Sequence, residues 1–209
     1  MAKNDKDKLL WQNLSGKFLL SMPHLAEEPF RRAVIWLPRF DADGALGFVL
    51  SSPMGKTLGS ASICFTGTPA QHLPLMCGGP VEPEQLAIIG TGEDPVNHRW
   101  SVSSNMELDE ELFKSLQFRP DAICMAFSGR AEWAPGQLED ELKRKTWISL
   151  PADFVETRHF FAEVELDARR EDRRDFKGVL WSRILAKQSR PDFRALSRLP
   201  YEKDDLNDS

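Results

Sequence analysis

The densest group of side chains able to bind a ligand lies in the segment from Trp133 to Glu141. Gln137 and Glu141 are four residues apart, so they share one face of the helix that this segment is predicted to open. Trp133 could stack on a planar ligand while Gln137 binds the polar edge of that ligand. The alternative is structural: Trp133 covers the sheet, and the two polar side chains secure the start of the helix. The sequence leaves both interpretations open.

A pair of glycines, Gly78 and Gly79, is the second candidate. Glycine lacks a Cβ atom, so this pair can bring backbone N–H groups close to a ligand or adopt a positive φ. The alternative is a tight turn that lets two strands cross closely. Cys77 precedes the pair, and we expect it to be the cysteine most accessible to oxidants.

Two arginines, Arg31 and Arg32, stand at the entrance to a predicted strand. The planar guanidinium group binds carboxylates and phosphates through paired hydrogen bonds, so Arg31 is a candidate contact for an anionic ligand. The alternative is a structural ion pair with a carboxylate such as Glu141.

The motifs of nucleotide binding and of serine hydrolysis are incomplete in this chain. Gly55-Lys-Thr57 matches the end of a phosphate-binding loop, but such a loop needs a glycine where the chain has Leu50. Ser128 and Gly129 follow a predicted strand, but the nucleophile elbow needs a glycine where the chain has Ala126. We therefore assign no catalytic residue.

Histidine and cysteine spacings do not match a metal site. A structural zinc site needs paired spacings such as Cys-x-x-Cys, whereas the histidines and cysteines of this chain are far apart. They are His24, His72, His98, His159, Cys64, Cys77 and Cys124. We therefore expect no metal.

A run of basic residues near the C-terminus is a candidate nucleic-acid stripe. Its members are Arg169, Arg170, Arg173, Arg174, Lys177, Arg183, Lys187, Arg190, Arg194 and Arg198. Acidic residues such as Glu171 and Asp175 are interleaved with them, and this pattern is also typical of a solvated helix face.

Length and composition indicate one domain. The chain has 209 residues, 41% of them hydrophobic and 28% charged, and a formal net charge of −5. We expect polar tails at residues 1–14 and 201–209, and a single domain over 15–200. No apolar run is long enough to span a bilayer, and no signal peptide is recognisable, so we expect a cytoplasmic protein without membrane contact.

Strands and helices are predicted without strict alternation, which favours the α+β class. Strands are expected at 17–23, 32–38, 45–50, 75–77, 86–89, 99–102, 121–127 and 147–150. Helices are expected at 57–65, 108–116, 135–145 and 172–187.

Five blocks of sequence follow one another between Ser15 and Asp153. They are Ser15–His24, Phe30–Val34, Gly44–Gly47, Cys77–Val81, and Trp133–Leu142 continuing into Trp147–Asp153. In this order and spacing they resemble the AlgH/YqgE family of bacterial proteins. The resemblance implies a single α+β domain with a branched, partly barrel-like sheet flanked by helices, no known cofactor, and an association with transcriptional regulation by name.

Three functions remain open from the sequence. The first is a non-enzymatic regulatory protein that binds an unknown small molecule or protein partner between the Gly78–Gly79 turn and the Trp133–Glu141 segment. The second is a hydrolase that uses Glu141 or Cys77. The third is nucleic-acid binding through the C-terminal arginines, which the interleaved acidic residues make the less favoured reading.

Overall fold

A computed structural model provides the fold of the chain. It describes residues 14–91, 98–103, 124–152, 159–160, 162–164, 176 and 178–199. The helix predicted at 108–116 and nearly all of the two predicted tails lie outside these residues.

Nine strands form one mixed sheet in the described part of the chain. They are β1 (Lys17–Ser21), β2 (Val34–Asp41), β3 (Gly44–Val49), β4 (Pro53–Thr57), β5 (Pro74–Cys77), β6 (Val81–Thr91), β7 (His98–Ser103), β8 (Cys124–Trp133) and β9 (Trp147–Pro151). The main path runs β4-β5-β8-β3-β2-β1-β9, and β6 leaves it at β8 and carries β7.

β8 is the branch point of the sheet. Its first residues lie between β5, which is parallel to it, and β6, which is antiparallel. Its last three residues, Ala131–Trp133, pair with β3. The expected α+β class and the branched sheet are therefore confirmed. The expected partial closure into a barrel is wrong: β4 and β9 end the path, and each pairs with a single described strand.

Helices pack on both faces of the sheet. They are α1 (Leu58–Ala61), α2 (Gln137–Lys143), α3 (Val179–Ala186) and α4 (Pro191–Ser197), with 3-10 turns at Ile63–Phe65 and Pro69–His72. Residues 159–160 and 162–164 are also helical. None of the helices in the described ranges is both long and apolar enough to cross a membrane.

β1 shows why the sheet is buried on both faces. Successive side chains of a strand point to opposite faces, and this strand is apolar at each of three consecutive positions. Phe18 and Leu20 pack in the cluster that includes α3 and α4. Leu19 packs in the cluster that includes α2. β1 therefore lies between two layers of helices.

A buried tryptophan joins the C-terminal helices to the start of the sheet. Trp181 of α3 is fully buried, and its indole Nε1 donates to the backbone oxygen of Ser21 at 2.8 Å. The guanidinium of Arg32 lies 5.2 Å from the centre of the same ring and donates to the backbone oxygen of Leu199 at 3.0 Å. These contacts fix α3 and α4 against the segment between β1 and β2.

Candidate functional site

The glycine pair forms a close crossing of two backbone segments. The backbone N–H of Gly78 donates to the oxygen of Ser128 at 2.8 Å. A Cβ atom at Gly78 would overlap the carbonyl oxygen of Gly129, and one at Gly79 would overlap the carbonyl group of Arg130. Both glycines are buried. The chain can therefore cross β8 this closely only because neither glycine has a side chain.

The connection from β8 to β9 carries the main site. Trp133 ends β8, α2 follows, and Trp147 begins β9. The helix starts after Gly136, whose φ of 79° turns the chain in a way that glycine adopts readily. Leu138 and Leu142 face inward and pack in the same cluster as both tryptophans. This packing brings the polar face of α2 within reach of both indole N–H groups.

Glu141 accepts three hydrogen bonds on that face. Its Oε2 atom accepts from the indole Nε1 of Trp133 at 2.9 Å and from the indole Nε1 of Trp147 at 2.7 Å. Its Oε1 atom accepts from Nε2 of Gln137 at 2.9 Å. The amide of Gln137 is itself oriented, because its oxygen accepts from the backbone N–H of Ala134 at 3.0 Å. The carboxylate is thus held at both oxygens by uncharged N–H groups.

A cleft of about 550 Å³ opens beside this carboxylate. Aromatic rings of Phe30, Trp133 and Trp147 contribute to its wall. Trp147 meets each of the other two rings edge to face, at centroid distances of 5.8 Å and 6.1 Å. The cleft has the size of a small-molecule site and combines apolar walls with a few fixed polar groups, as such sites do.

Carboxylates outnumber fixed cations along the cleft. Its charged lining residues are Glu27, Glu132, Glu141 and Arg144. Glu132 is paired with Arg130, whose Nε lies 2.6 Å from the carboxylate.

Arg130 is shared between two acids. It also forms an ion pair with Glu82. Burial lowers the pKa of Arg130, but the hydrogen bonds to Glu132 and Glu82 outweigh burial and raise that pKa above its ordinary value. One guanidinium thus serves two carboxylates.

The structure brings together three of the candidate residues and separates the others. Trp133, Gln137 and Glu141 line one cleft. Gly78 and Gly79 do not line this cleft, but the two residues that follow them, Pro80 and Val81, do.

Arg31 lies beside the cleft-lining Phe30 but is not part of the wall. It does not pair with Glu141, whose partners are the three N–H groups described above. The expected exposure of Cys77 is only partial: this thiol is half-buried, while Cys64 is exposed. Of these two thiols Cys64 is the more exposed, and it lies in the 3-10 turn Ile63–Phe65; the reactivity of Cys77 towards oxidants stays a prediction.

Sequence reasoning missed Trp147 as a site residue. A tryptophan directly after a predicted helix, in the same block as Trp133, was the available signal. The hydrogen bond from Trp147 to Glu141 depends on the direction in which the chain leaves α2 to begin β9. The spacing of residues in the sequence does not give that direction. Neither Phe30 nor Glu132 carried a signal in the sequence: Phe30 reaches the cleft from the turn between β1 and β2, and Glu132 through the pairing of β8.

Comparison with known proteins places the chain in a family. The model of a family described as AlgH-like matches residues 18–165, which is more than half of the chain. The chain belongs to the AlgH-like family. The matched segment of this AlgH-like protein contains every residue of the cleft described above.

Individual relatives agree with this assignment. A UPF0301 protein of Coxiella burnetii is 32% identical over 142 residues, which are 66% of this chain and 77% of the relative. A UPF0301 protein of Chromohalobacter salexigens is 31% identical over 75% of this chain and 89% of its own.

Two solved structures share the fold of this AlgH-like chain. The solution structure of the AlgH protein from Pseudomonas aeruginosa is similar with a TM-score of 0.54 and 25% identity, over 75% of this chain and 87% of that one. A crystal structure of a Corynebacterium diphtheriae protein is similar with a TM-score of 0.59 and 21% identity, over 90% and 93% of the two chains. Neither description names a reaction or a ligand.

Proposed function

We propose that this AlgH-like protein is a non-enzymatic regulatory protein that binds a ligand in the cleft beside α2. The observation that carries the proposal is the Glu141 carboxylate, which two indoles and one amide hold in place at the cleft wall. A polar group that is already oriented loses little entropy when a ligand binds, so such a group favours affinity. The regulatory role rests on the association of the family with regulation by name, and the cytoplasmic location rests on the sequence.

The proposed contact surface differs from the one predicted from sequence. It keeps Trp133, Gln137 and Glu141 and adds Trp147. Pro80 takes the place of the two glycines before it, because it lines the cleft and they do not.

The bonding of Glu141 favours binding over hydrolysis. A general base must accept a proton from water or substrate, and it needs a free lone pair aimed at that proton. The Glu141 carboxylate has about four lone-pair sites. Three of them already accept N–H groups that keep their protons at physiological pH, and only one, on Oε1, remains. Cys77 is no better placed, since within the described residues no base contacts its thiol.

The C-terminal arginines support a solvated face rather than a nucleic-acid stripe. Arg183 donates twice to Glu163, at 2.7 and 2.8 Å. Arg190 pairs with Asp192 at 2.6 Å, and Arg194 donates to a backbone oxygen. Phosphate binding needs cations that are free to replace counterions, and these three are engaged within the protein.

The indole N–H signals of the protein labelled with ¹⁵N-tryptophan test the proposal directly. The small-molecule fraction of a bacterial extract is added, and signals are assigned by single Trp→Phe substitutions. We expect the signals of Trp133 and Trp147 to shift and that of Trp181 to stay, because its N–H is bound to the backbone of Ser21 and its ring packs in a different core cluster from the two cleft tryptophans. Glu141→Ala is expected to abolish the shifts. Equal shifts at all three tryptophans, or none, would contradict a ligand site at this cleft.

A further inference from the structure

We infer that the ligand is an organic cation, an ammonium ion carried on an apolar body. This inference rests on the proposed function, since it names the chemical class that the cleft binds. Three features of the wall lead to it: an uncompensated carboxylate, an excess of acidic over basic side chains, and aromatic rings beside them.

The charge of Glu141 is the first feature. Its partners in the described part of the chain are two indoles and an amide, none of which carries a positive charge. Hydrogen bonds from neutral donors hold a carboxylate in place without cancelling its charge. A half-buried carboxylate in a medium less polar than water attracts a nearby cation more strongly than an exposed one does. An ammonium group in the cleft would supply the missing charge and donate to the lone pair that Oε1 retains.

The balance of the other charges is the second feature. Glu27 and Glu132 line the cleft together with one cation, Arg144. Arg130 pairs with Glu132 from outside the wall, but it also pairs with Glu82, so acidic groups still exceed basic ones. The Nε atom of Arg144 donates to the backbone oxygen of Asp140 at 3.3 Å, and its charge contributes to lowering the pKa of the Asp140 carboxyl, after the larger effect of Lys143. Arg144 is thus drawn towards the end of α2. The potential in the cleft is therefore negative and favours cations.

The aromatic wall is the third feature, and it selects the kind of cation. Ring faces attract ammonium groups and pack against hydrocarbon. A bare metal ion would instead need several oxygen ligands around one point. Within the residues that the structure describes, no group of three or more acidic, histidine or cysteine side chains could hold one. A cleft of about 550 Å³ is also far larger than a metal ion requires.

Three probes of one shape and different charge test the inference. They are phenethylammonium, 2-phenylethanol and phenylacetate, titrated into the protein labelled with ¹⁵N-tryptophan. For a probe of this size we expect a Kd of about 1 mM for the cation. We expect the alcohol to bind about tenfold more weakly and the anion more weakly still. The shifts are expected at Trp133 and Trp147 and not at Trp181.

Charge variants provide the matched controls. Glu141→Gln keeps the size and one oxygen of the side chain, and it is expected to weaken cation binding about tenfold or more. Glu139→Gln removes the same charge from the same helix outside the cleft, and we expect less than a twofold change. Glu27→Gln breaks no described side-chain bond, so it remains informative if the Glu141 variant folds poorly. We expect it to weaken the binding of phenethylammonium about two- to fivefold. Arg144→Gln should strengthen the binding of phenethylammonium by a similar factor.

The outcomes separate the inference from the proposed function. If no probe shifts Trp133 or Trp147, the cleft does not bind small ligands, and both fail. If the alcohol or the anion binds as tightly as the cation, the cleft binds ligands but the cation inference is overturned. An affinity for phenethylammonium that is unchanged in both Glu141→Gln and Glu27→Gln would also overturn it. Nα-acetyl-lysine amide, added as a fourth probe, identifies the source of the ammonium: tighter binding than phenethylammonium indicates a lysine of another protein, and weaker binding a free amine.

Discussion

Replacement of Glu141 by alanine is the most direct test of how the α2 site is held together. Trp133 and Trp147 are only 6% and 5% exposed, and each directs its indole N–H at this carboxylate. Alanine removes the acceptor from both. A buried donor left without a partner costs about 1–3 kcal/mol. Water from the cleft can replace part of this bonding, so we expect the free energy of unfolding to fall by about 2–4 kcal/mol.

Urea denaturation followed by circular dichroism measures this change, because the midpoint and the slope together give the free energy of unfolding. Glu139→Ala is the matched control, since it removes a carboxylate from the same helix. Glu139 has no described side-chain hydrogen bond, and we expect a change of no more than about 0.5 kcal/mol. Glu141→Gln keeps an acceptor for the indoles and is expected to lie between the two.

A double-mutant cycle with Trp133→Phe separates the hydrogen bond from the general effect of the substitution. If the bond stabilises the fold, the two changes are not additive, and the coupling free energy is about 1 kcal/mol or more. A Glu141→Ala protein that is as stable as the Glu139→Ala control would refute the reasoning. It would mean that the bonds in the cleft wall are replaced by water at no cost.

Three further predictions concern other parts of the fold. Trp181→Phe removes the indole bond to β1 and leaves a small cavity, so urea denaturation should show a loss of about 2–4 kcal/mol; a loss below about 1 kcal/mol would contradict the role given to that bond. Gly79→Ala places a Cβ atom against the backbone of β8 at a φ of 151°, and we expect a loss of about 3 kcal/mol. Gly136→Ala, at a φ of 79° with open space around it, should cost only about 1 kcal/mol; equal losses would show that the close crossing is not the cause. The hydrogen bond from Lys143 lowers the pKa of the Asp140 carboxyl, so its stabilising effect is complete above the unfolded pKa and is lost as the pH falls through the lower folded value. Lys143→Met should move the pKa of Asp140 back towards its ordinary value in an NMR titration, and an unchanged pKa would contradict this cause.

Most of the sheet follows from local sequence patterns. Short apolar runs such as 17–23 and 45–50 each contain a strand, because a strand buried on both faces needs apolar side chains at successive positions. β4 was missed because it carries Pro53, Gly55 and Lys56, which are poor strand residues. Among the described strands it pairs only with β5, at the edge of the sheet, and edge strands tolerate such residues.

The site was predictable in part. The helical spacing of Gln137 and Glu141 indicated a shared polar face, and the structure confirms that they bond to one another. Trp133 packs against the sheet, as the structural interpretation expected, and bonds to Glu141; its stacking on a ligand stays a prediction. The bond from Trp147 was not predictable, because it depends on the angle at which α2 leaves β8. Whether these residues bind a ligand stays a prediction.

The branch at β8 has a consequence for the synthesis of the protein. β3, β5 and β6 leave the ribosome well before the strand with which all three pair. Until residue 133 has emerged, each of them exposes unpaired backbone groups along one edge, and such edges associate with other chains. Pairings between distant parts of a chain also form slowly. The nascent protein therefore passes through a long stage in which chaperones can bind it, and chains truncated before Cys124 should aggregate rather than fold.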